Sequence, residues 1–239
     1  MPTFNSLKTE YKRLWDRMTI KPSVIPALDK VARGIIADRR RYEAVEATTG
    51  VPWFWIGITH NRESGRNFKT HLHNGDPLTA RTRQVPKGRP IHGRPPFKWE
   101  TSAEDALIYQ ALDKVPEWGV ERIAYCFEDY NGWGYRNKAI FTPYLWAGTN
   151  HYSAGKYVAD GVFSRTAVDR QLGCMPLLKR LMALDASVMA HVSGEMAAFP
   201  PPPDVPKPAP APPPVPKPVQ SGWLAALVAL ITSIFRKRQ

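Results

Sequence analysis

Residues 48–68 read TTGVPWFWIGITHNRESGRNF, and this stretch indicates how the rest of the folded domain is organised. Positions 53–58 are apolar in nearly every direction around a helix, which is typical of a helix buried in a core. Pro52 suits the first turn of such a helix, and Gly65 suits its end. The pattern therefore predicts a buried helix over 52–63 that carries Glu63 in its last turn.

The segments around this helix predict a mainly α domain, or α+β with a small β or loop element. Further helices are predicted at 7–18, 24–48 and 103–114, with one or two more over 166–193. In the third of these, Glu104 and Asp105 are expected in the first turn, where carboxylates are favourable. Residues 67–99 are basic and contain many Gly and Pro residues, which favours a loop or hairpin.

The 239 residues include 33 Lys and Arg against 21 Asp and Glu, so the formal net charge is +12. A partner that is acidic on average is expected: nucleic acid, anionic lipid or an anionic cell-wall polymer. Only two Cys are present, which excludes a disulfide scaffold and a four-Cys zinc module. No secretory signal is recognisable at the N-terminus, so synthesis in the cytoplasm with reduced cysteines is expected.

Half of the 24 Pro residues lie between Pro200 and Pro218. Because proline lacks an N–H group and has a fixed φ, this stretch is expected to form a polyproline II spacer of roughly 60 Å. A proline-rich ligand for a signalling domain is the alternative. The spacer divides the chain into a folded domain at 1–198, a linker at 199–220 and a hydrophobic tail at 221–239.

The tail contains 13 consecutive uncharged residues from Trp223, fewer than the ~20 that cross a bilayer upright. Its larger apolar side chains share one helical face, which favours membrane association as a short span or an interfacial helix. The residues expected to contact the membrane are Trp223, Leu227, Leu230, Ile231, Ile234 and Phe235. Ala225, Ala229 and Ser233 share the other face, at a spacing that allows tail helices to self-associate. Docking of this helix on the folded domain is the alternative.

Glu63 is the strongest candidate for chemistry in the folded domain. At the C-terminal end of a buried helix, the helix dipole and desolvation both disfavour the charged form and raise the pKa of a carboxyl group. A carboxyl group that stays protonated near neutral pH can act as a general acid. The alternative is an ordinary helix-end glutamate paired with Arg62 or Arg66.

This stretch resembles the region around the catalytic acid in lytic transglycosylases and goose-type lysozymes. The positions that carry the resemblance are Gly50, Val51, Pro52, Arg62, Glu63, Ser64, Gly65 and Phe68. The resemblance implies a lysozyme-like fold with Glu63 as the catalytic residue. Ser64 has no His at a recognisable triad spacing, so it is interpreted as a support for Glu63 and not as a nucleophile.

Residues 130–132 read Tyr-Asn-Gly and resemble an element of the same superfamily that lies across the cleft from the acid. The resemblance implies that Tyr130 hydrogen-bonds near Glu63 and that Asn131 binds the N-acetyl group of a sugar. Trp133 offers an aromatic face against which a sugar can stack. An aromatic turn in the core is the alternative.

Segments 69–78 and 142–161 resemble one branch of lysozyme-like proteins of bacteria and phages, and the match covers most of 11–165. This branch implies a glycan groove lined by Tyr144, Trp146, Asn150, His151 and Tyr152. The sequence leaves open whether a second carboxylate activates water, and the candidates for it are Asp76, Glu128 and Asp129. If none of them faces Glu63, the muramyl 6-hydroxyl can attack instead, which gives a transglycosylase.

Metal binding has one candidate, the His71-x-His73 pair with Asp76 or His92, but no further motif has the spacing of metal ligands. No metal and no cofactor are therefore expected. The basic residues are scattered and match no nucleic-acid-binding motif, so nucleic acid is not expected as a partner.

The resemblance implies a muramidase that cleaves the bond between N-acetylmuramic acid and N-acetylglucosamine in bacterial peptidoglycan. Without a signal peptide, the expected setting is a phage endolysin that is released by a holin-like pore protein or by its own tail. The tail would hold the enzyme at the inner membrane while it acts on the periplasmic cell wall. The alternatives are a lytic transglycosylase of wall remodelling and a non-catalytic peptidoglycan-binding protein.

Overall fold

The computed structural model describes residues 1–159 and 161–194, and within these ranges the chain forms nine α-helices and one two-stranded antiparallel sheet. The helices are α1 (Phe4–Asp16), α2 (Ile25–Ala37), α3 (Arg39–Thr49), α4 (Trp53–Ser64), α5 (Trp99–Tyr109), α6 (Val120–Asn131), α7 (Pro143–Trp146), α8 (Cys174–Leu184) and α9 (Ala186–Ser193). The strands are β1 (Lys156–Ala159) and β2 (Val162–Ser164), and 3₁₀ turns span Pro22–Val24, Leu112–Lys114 and Trp133–Lys138. The expected mainly α class with a small β element is confirmed. The linker and the tail lie outside the described residues.

Helix α4 lies in the middle of the core, because its residues 53–60 are all buried. Helices α2, α3 and α8 pack around it. Trp55 stacks on Phe127 of α6 with ring centroids 4.9 Å apart. Gly57 allows α2 to approach closely, since a Cβ at this position would lie 2.5 Å from Ile35 Cγ2. The buried helix predicted over 52–63 is therefore confirmed, displaced by one residue.

The prediction of one continuous helix over 24–48 is wrong. The chain forms two helices, α2 and α3, which meet at Asp38. Helix α2 packs against α8 and α4, whereas α3 packs against α5 and α4. Because the two helices have different neighbours, the chain changes direction between them.

The helix predicted over 103–114 begins earlier and ends earlier than expected. Helix α5 starts at Trp99, whose buried indole packs 4.6 Å from the ring of His60. The chain leaves the helical conformation at Ala111, which has a φ of 55°. Consequently Glu100 occupies the first turn, and the placement of Glu104 and Asp105 there is wrong.

Residues 166–193 contain two helices, within the range expected. Asp185 separates α8 from α9 and caps α9 by accepting a hydrogen bond of 2.9 Å from the N–H of Ser187. Residues 67–98 are irregular, as expected for a loop.

Both cysteines, Cys126 and Cys174, are free and buried, and burial raises the pKa of both thiols. Among the described helices, none is long and apolar enough to cross a membrane.

Candidate active site

The position of Glu63 is fixed by the way in which α4 ends. Gly65 adopts the left-handed conformation with a φ of 61°, and its N–H donates to Asn61 O at 3.0 Å. The following loop folds back beside this turn, since a Cβ on Gly75 would lie 3.6 Å from the main-chain oxygen of Glu63. The backbone that carries the carboxyl group is therefore supported from two sides.

The carboxyl group of Glu63 is held by Tyr144, whose hydroxyl donates to Glu63 Oε1 at 2.7 Å. Tyr144 lies in the one-turn helix α7 and is 4% exposed. Thr142 caps this turn, because its Oγ1 accepts a hydrogen bond of 3.2 Å from the N–H of Tyr144. A short capped helix thus presents a buried phenol to the carboxyl group and restricts its orientation.

Burial raises the pKa of Glu63 above its ordinary value of 4.5, because the charged form is poorly solvated there. The hydrogen bond from Tyr144 and the charge of Arg62 act in the opposite direction, but the net shift is upward. Arg62 is itself engaged in an ion pair with Asp169, and both of these side chains are 7% exposed. Glu63 therefore keeps its proton to a higher pH than a free glutamic acid, as a general acid requires.

Glu63 opens onto a cavity of about 370 Å³, which is within the size range of small-molecule sites. The described residues that line it are Glu63, His73, Val85, Pro86, Tyr109, Gln110, Tyr130 and Asn131. Tyr130 and Asn131, from the end of α6, thus share the cavity with the carboxyl group. The hydroxyl of Tyr130 donates to Leu72 O at 2.8 Å and not to Glu63.

One wall of the cavity is built from a chain of polar contacts. His73 Nε2 lies 2.8 Å from Asp105 Oδ2, and Arg89 donates two hydrogen bonds of 2.8 and 2.9 Å to the same carboxylate. The guanidinium of Arg89 stacks 4.8 Å from the ring centre of Tyr109. Burial lowers the pKa of His73 despite the neighbouring carboxylate, so its imidazole is neutral at neutral pH. The cavity is thus bordered here by a neutral group.

The sequence alone does not place these residues in the site. His73 is recognisable there only as a possible metal ligand, and Tyr109 and Gln110 belong to no motif. The pairing of Arg89 with Asp105 joins the irregular loop to α5, and no periodic pattern encodes such a contact. Only the basic composition of the loop, with its many Gly and Pro residues, distinguishes this region in the sequence.

Asp76, a candidate second carboxylate, does not appear in the described lining of the cavity. Its Oδ2 accepts hydrogen bonds from the N–H groups of Gln84 at 3.0 Å and Arg83 at 2.7 Å. These donors hold the pKa of Asp76 below its ordinary value. The structure thus places this carboxylate at the base of the loop 82–89.

Glu128 lies in a different environment, also outside the described lining. It is 3% exposed, and its Oε2 accepts hydrogen bonds from Tyr11 Oη at 2.7 Å and Arg136 Nη2 at 2.8 Å. It borders a second cavity of about 210 Å³ that also contains Trp146. Glu63 is therefore the only carboxylate among the described residues that line the first cavity.

The other predicted groove residues bond within the protein and do not appear in that lining. The side chains of Asn150 and His151 bond to main-chain groups in and just after α1. Tyr152 is buried and hydrogen-bonds to nearby main-chain groups, and Trp133 donates to a carboxylate four residues earlier. Tyr144 differs from them, because its hydroxyl reaches the candidate acid.

Ser64 and His71 bond to neighbouring groups of the fold and are not among the described lining residues, whereas the other member of the histidine pair, His73, is. Ser64 Oγ donates to His60 O at 3.2 Å, one turn earlier in α4. The ring nitrogens of His71 lie 2.6 Å from Ser102 Oγ and 2.8 Å from Ala80 O. In the part of the chain that the structure describes, no three His, Cys, Asp or Glu residues are grouped so that they could hold a metal ion.

The cavity therefore combines one carboxyl group, whose pKa is raised by burial, with a neutral imidazole, amides and phenols. Such a lining suits a polar, uncharged ligand such as a sugar, and its carboxyl group can donate a proton to a leaving oxygen. No protein-family model, curated protein or solved structure matches the chain.

Proposed function

We propose that the folded domain is a glycosidase that cleaves the bond between N-acetylmuramic acid and N-acetylglucosamine in peptidoglycan. One observation carries the proposal: Glu63, with its raised pKa, opens onto a cavity large enough for sugar units. The resemblance of residues 50–68 and 130–132 to the lysozyme-like superfamily supports the same assignment.

In this mechanism Glu63 donates its proton to the glycosidic oxygen while the bond to the anomeric carbon breaks. Tyr144 keeps the carboxyl group oriented through its 2.7 Å hydrogen bond. The amide of Asn131 is available to the N-acetyl group, and Tyr130 lines the same cavity. The carboxylate that remains can then take a proton from the attacking oxygen.

A lytic transglycosylase is the second candidate, and the composition of the cavity favours it. Glu63 is the only carboxylate among its described lining residues, so the described lining offers no other carboxylate to activate water. The 6-hydroxyl of the muramyl unit can then attack its own anomeric carbon and transfer its proton to Glu63. Hydrolysis leaves reducing muramic ends, whereas this reaction leaves 1,6-anhydro ends, and mass spectrometry of the fragments separates the two.

The biological setting that we propose is a phage endolysin. Residues 1–198 carry 28 basic and 20 acidic side chains, a net charge of +8 that suits a wall polymer bearing peptide carboxylates. The proline-rich linker and the hydrophobic tail would tether the enzyme to the inner membrane from which it reaches the wall. Truncation at Pro200 is expected to move the protein from the membrane fraction to the soluble fraction, and an unchanged distribution contradicts the tether.

Clearing of a suspension of purified cell walls tests the enzymatic proposal. Glu63→Gln keeps the size of the side chain but removes the acidic proton, so clearing is expected to slow by about 10²–10⁴-fold. Glu117→Gln is the matched control, because Glu117 is 53% exposed and lies outside the described lining. Clearing by the Glu63 variant at the wild-type rate contradicts the proposal. Wall binding by the wild type without any clearing instead indicates a non-catalytic binding protein.

A further inference from the structure

The loop 82–89 beside the candidate site is a tightly closed structure. Thr82 is 2% exposed, its N–H donates to Arg89 O at 2.8 Å, and its carbonyl oxygen accepts from the N–H of Gly88 at 2.8 Å. The side chain of Asp76 binds the N–H groups of Arg83 and Gln84 at the start of the loop. These bonds close the loop on itself and hold its start against Asp76, while Arg89 joins its end to Asp105 of α5.

The loop presents two positive charges that form no ion pair with a carboxylate in the described part of the chain. Arg83 and Lys87 are exposed, and neither forms an ion pair with any described residue. Arg89 contrasts with them, because Asp105 holds its guanidinium in place. The one carboxylate at the loop, Asp76, is already occupied by main-chain donors. Arg83 and Lys87 are thus the loop cations available to a ligand.

These two cations flank the part of the loop that forms the cavity. Val85 and Pro86 line the cavity together with Glu63, and Arg83 and Lys87 lie two residues before and one residue after them. Val85 is 88% exposed, so the rim is open to solvent. A polymer in the cavity would therefore bring its substituents past Arg83 and Lys87.

We propose that Arg83 and Lys87 form a binding rim for the carboxylates of peptides attached to the glycan strand. The inference rests on the proposed function and adds the side chains that contact the peptide part of that substrate. The cavity itself, with its neutral imidazole and amides, contacts the uncharged sugars. The rim contacts the negatively charged peptides, and charge complementarity distinguishes the two surfaces.

Exposed ion pairs of this kind affect affinity and association more than the chemical step. Arg83 and Lys87 are neither the candidate acid, Glu63, nor its hydrogen-bond partner, Tyr144. Their removal is therefore expected to raise KM and leave kcat unchanged. The effect is also expected to shrink at high salt, because exposed charges are screened over about 8 Å at physiological ionic strength.

Binding to insoluble walls, measured by co-sedimentation in the Glu63→Gln background, tests the proposal independently of turnover. The R83Q/K87Q double variant is compared on intact walls and on walls whose peptides have been removed with an amidase. We expect about three- to tenfold weaker binding to intact walls and unchanged binding to the stripped glycan. The K30Q/R40Q variant removes the same charge from exposed positions on α2 and α3, outside the described lining, and is expected to bind both like the parent.

Unchanged binding of R83Q/K87Q to intact walls overturns the rim proposal, and so does an equal loss on intact and stripped walls. An equal loss in K30Q/R40Q overturns it as well, because only the net charge then matters. Salt-sensitive binding of duplex DNA that competes with wall binding identifies a nucleic-acid surface instead and also overturns it. Cleavage assays with the Glu63-intact chain separate the two proposals: absence of cleavage by the wild type contradicts the glycosidase, while a peptide-dependent binding difference still supports the rim.

Discussion

Tyr144 and Glu63 are 81 residues apart in the chain, and the phenol of the first donates a 2.7 Å hydrogen bond to the carboxyl group of the second. This bond brings together the end of α4 and the short helix α7. It also opposes the effect of burial on the pKa of Glu63, because it stabilises the carboxylate form. Tyr144 therefore positions the candidate acid and sets the pH range over which it holds a proton.

Tyr144→Phe is expected to shift the basic limb of the pH–activity profile to higher pH. The variant removes the hydrogen bond that lowers the pKa of Glu63 and leaves burial, which raises it. A general acid is active while it is protonated, so activity is lost as pH rises through its pKa and the loss moves upward. The measurement is kcat/KM for wall cleavage against pH, with Tyr157→Phe as a control at a hydroxyl that bonds to Gly134 O. A basic limb that stays in place or moves to lower pH contradicts this role.

Glu128→Gln is expected to affect stability and to leave kcat nearly unchanged. Its buried carboxylate accepts bonds from Tyr11 and Arg136, and Arg136 keeps a second partner in Glu10, so the loss is expected to cost about 1–3 kcal/mol. Urea unfolding measures the free-energy loss, and wall clearing well below the unfolding temperature measures activity. A 100-fold fall in kcat with unchanged stability would identify Glu128 as a second catalytic group instead.

Asp169→Asn is expected to destabilise the fold by about 3–5 kcal/mol, because it leaves the buried charge of Arg62 without its partner. Asp16→Asn is the control, since Asp16 forms an exposed ion pair with Lys12 in which the side chains are 50% and 60% exposed. The loss of this exposed ion pair is expected to lower the free energy of unfolding by at most about 1 kcal/mol. Urea unfolding of both variants gives the comparison. Equal losses of unfolding free energy in the two variants would show that burial does not make the Arg62–Asp169 ion pair more important for stability.

Asp76→Ala is expected to loosen the loop 82–89. The alanine cannot accept the hydrogen bonds from the main chain of Arg83 and Gln84, so local opening of the loop becomes more frequent. Limited trypsin digestion should cut after Arg83 and Lys87 several times faster than in the wild type, while the unfolding midpoint changes little. Wild-type cleavage rates would show that other contacts hold the loop.

The sequence was sufficient for the elements whose patterns are local. The apolar run before Glu63, with Pro52 and Gly65 at its ends, determines helix α4 and the placement of the carboxyl group in its last turn. The Tyr-Asn-Gly element at 130–132 reaches the same cavity. Local patterns were less informative over 24–48, where the break at Asp38 depends on which neighbours α2 and α3 pack against.

Contacts distant in sequence account for the rest. The hydroxyl of Tyr144, and not that of Tyr130, bonds to Glu63 because of the way in which α7 lies beside the end of α4. The sequence around the two tyrosines does not show which of them has this position. The assignments of Asp76 and Glu128 remained open for a similar reason, because a carboxylate that activates water looks the same in sequence as one that anchors a loop. Their donors, Gln84 and Tyr11, become visible only in three dimensions.

We propose Glu63 as the proton donor for cleavage of the glycan strand. Mass spectrometry of the fragments released from purified peptidoglycan by the wild type and by Glu63→Gln tests it most directly. We expect fragments that end in muramic acid, reducing or 1,6-anhydro, from the wild type, and none from the variant, which still sediments with the wall. Fragments cut at peptide or amide bonds, or the same muramic ends from the variant at the wild-type rate, would contradict it.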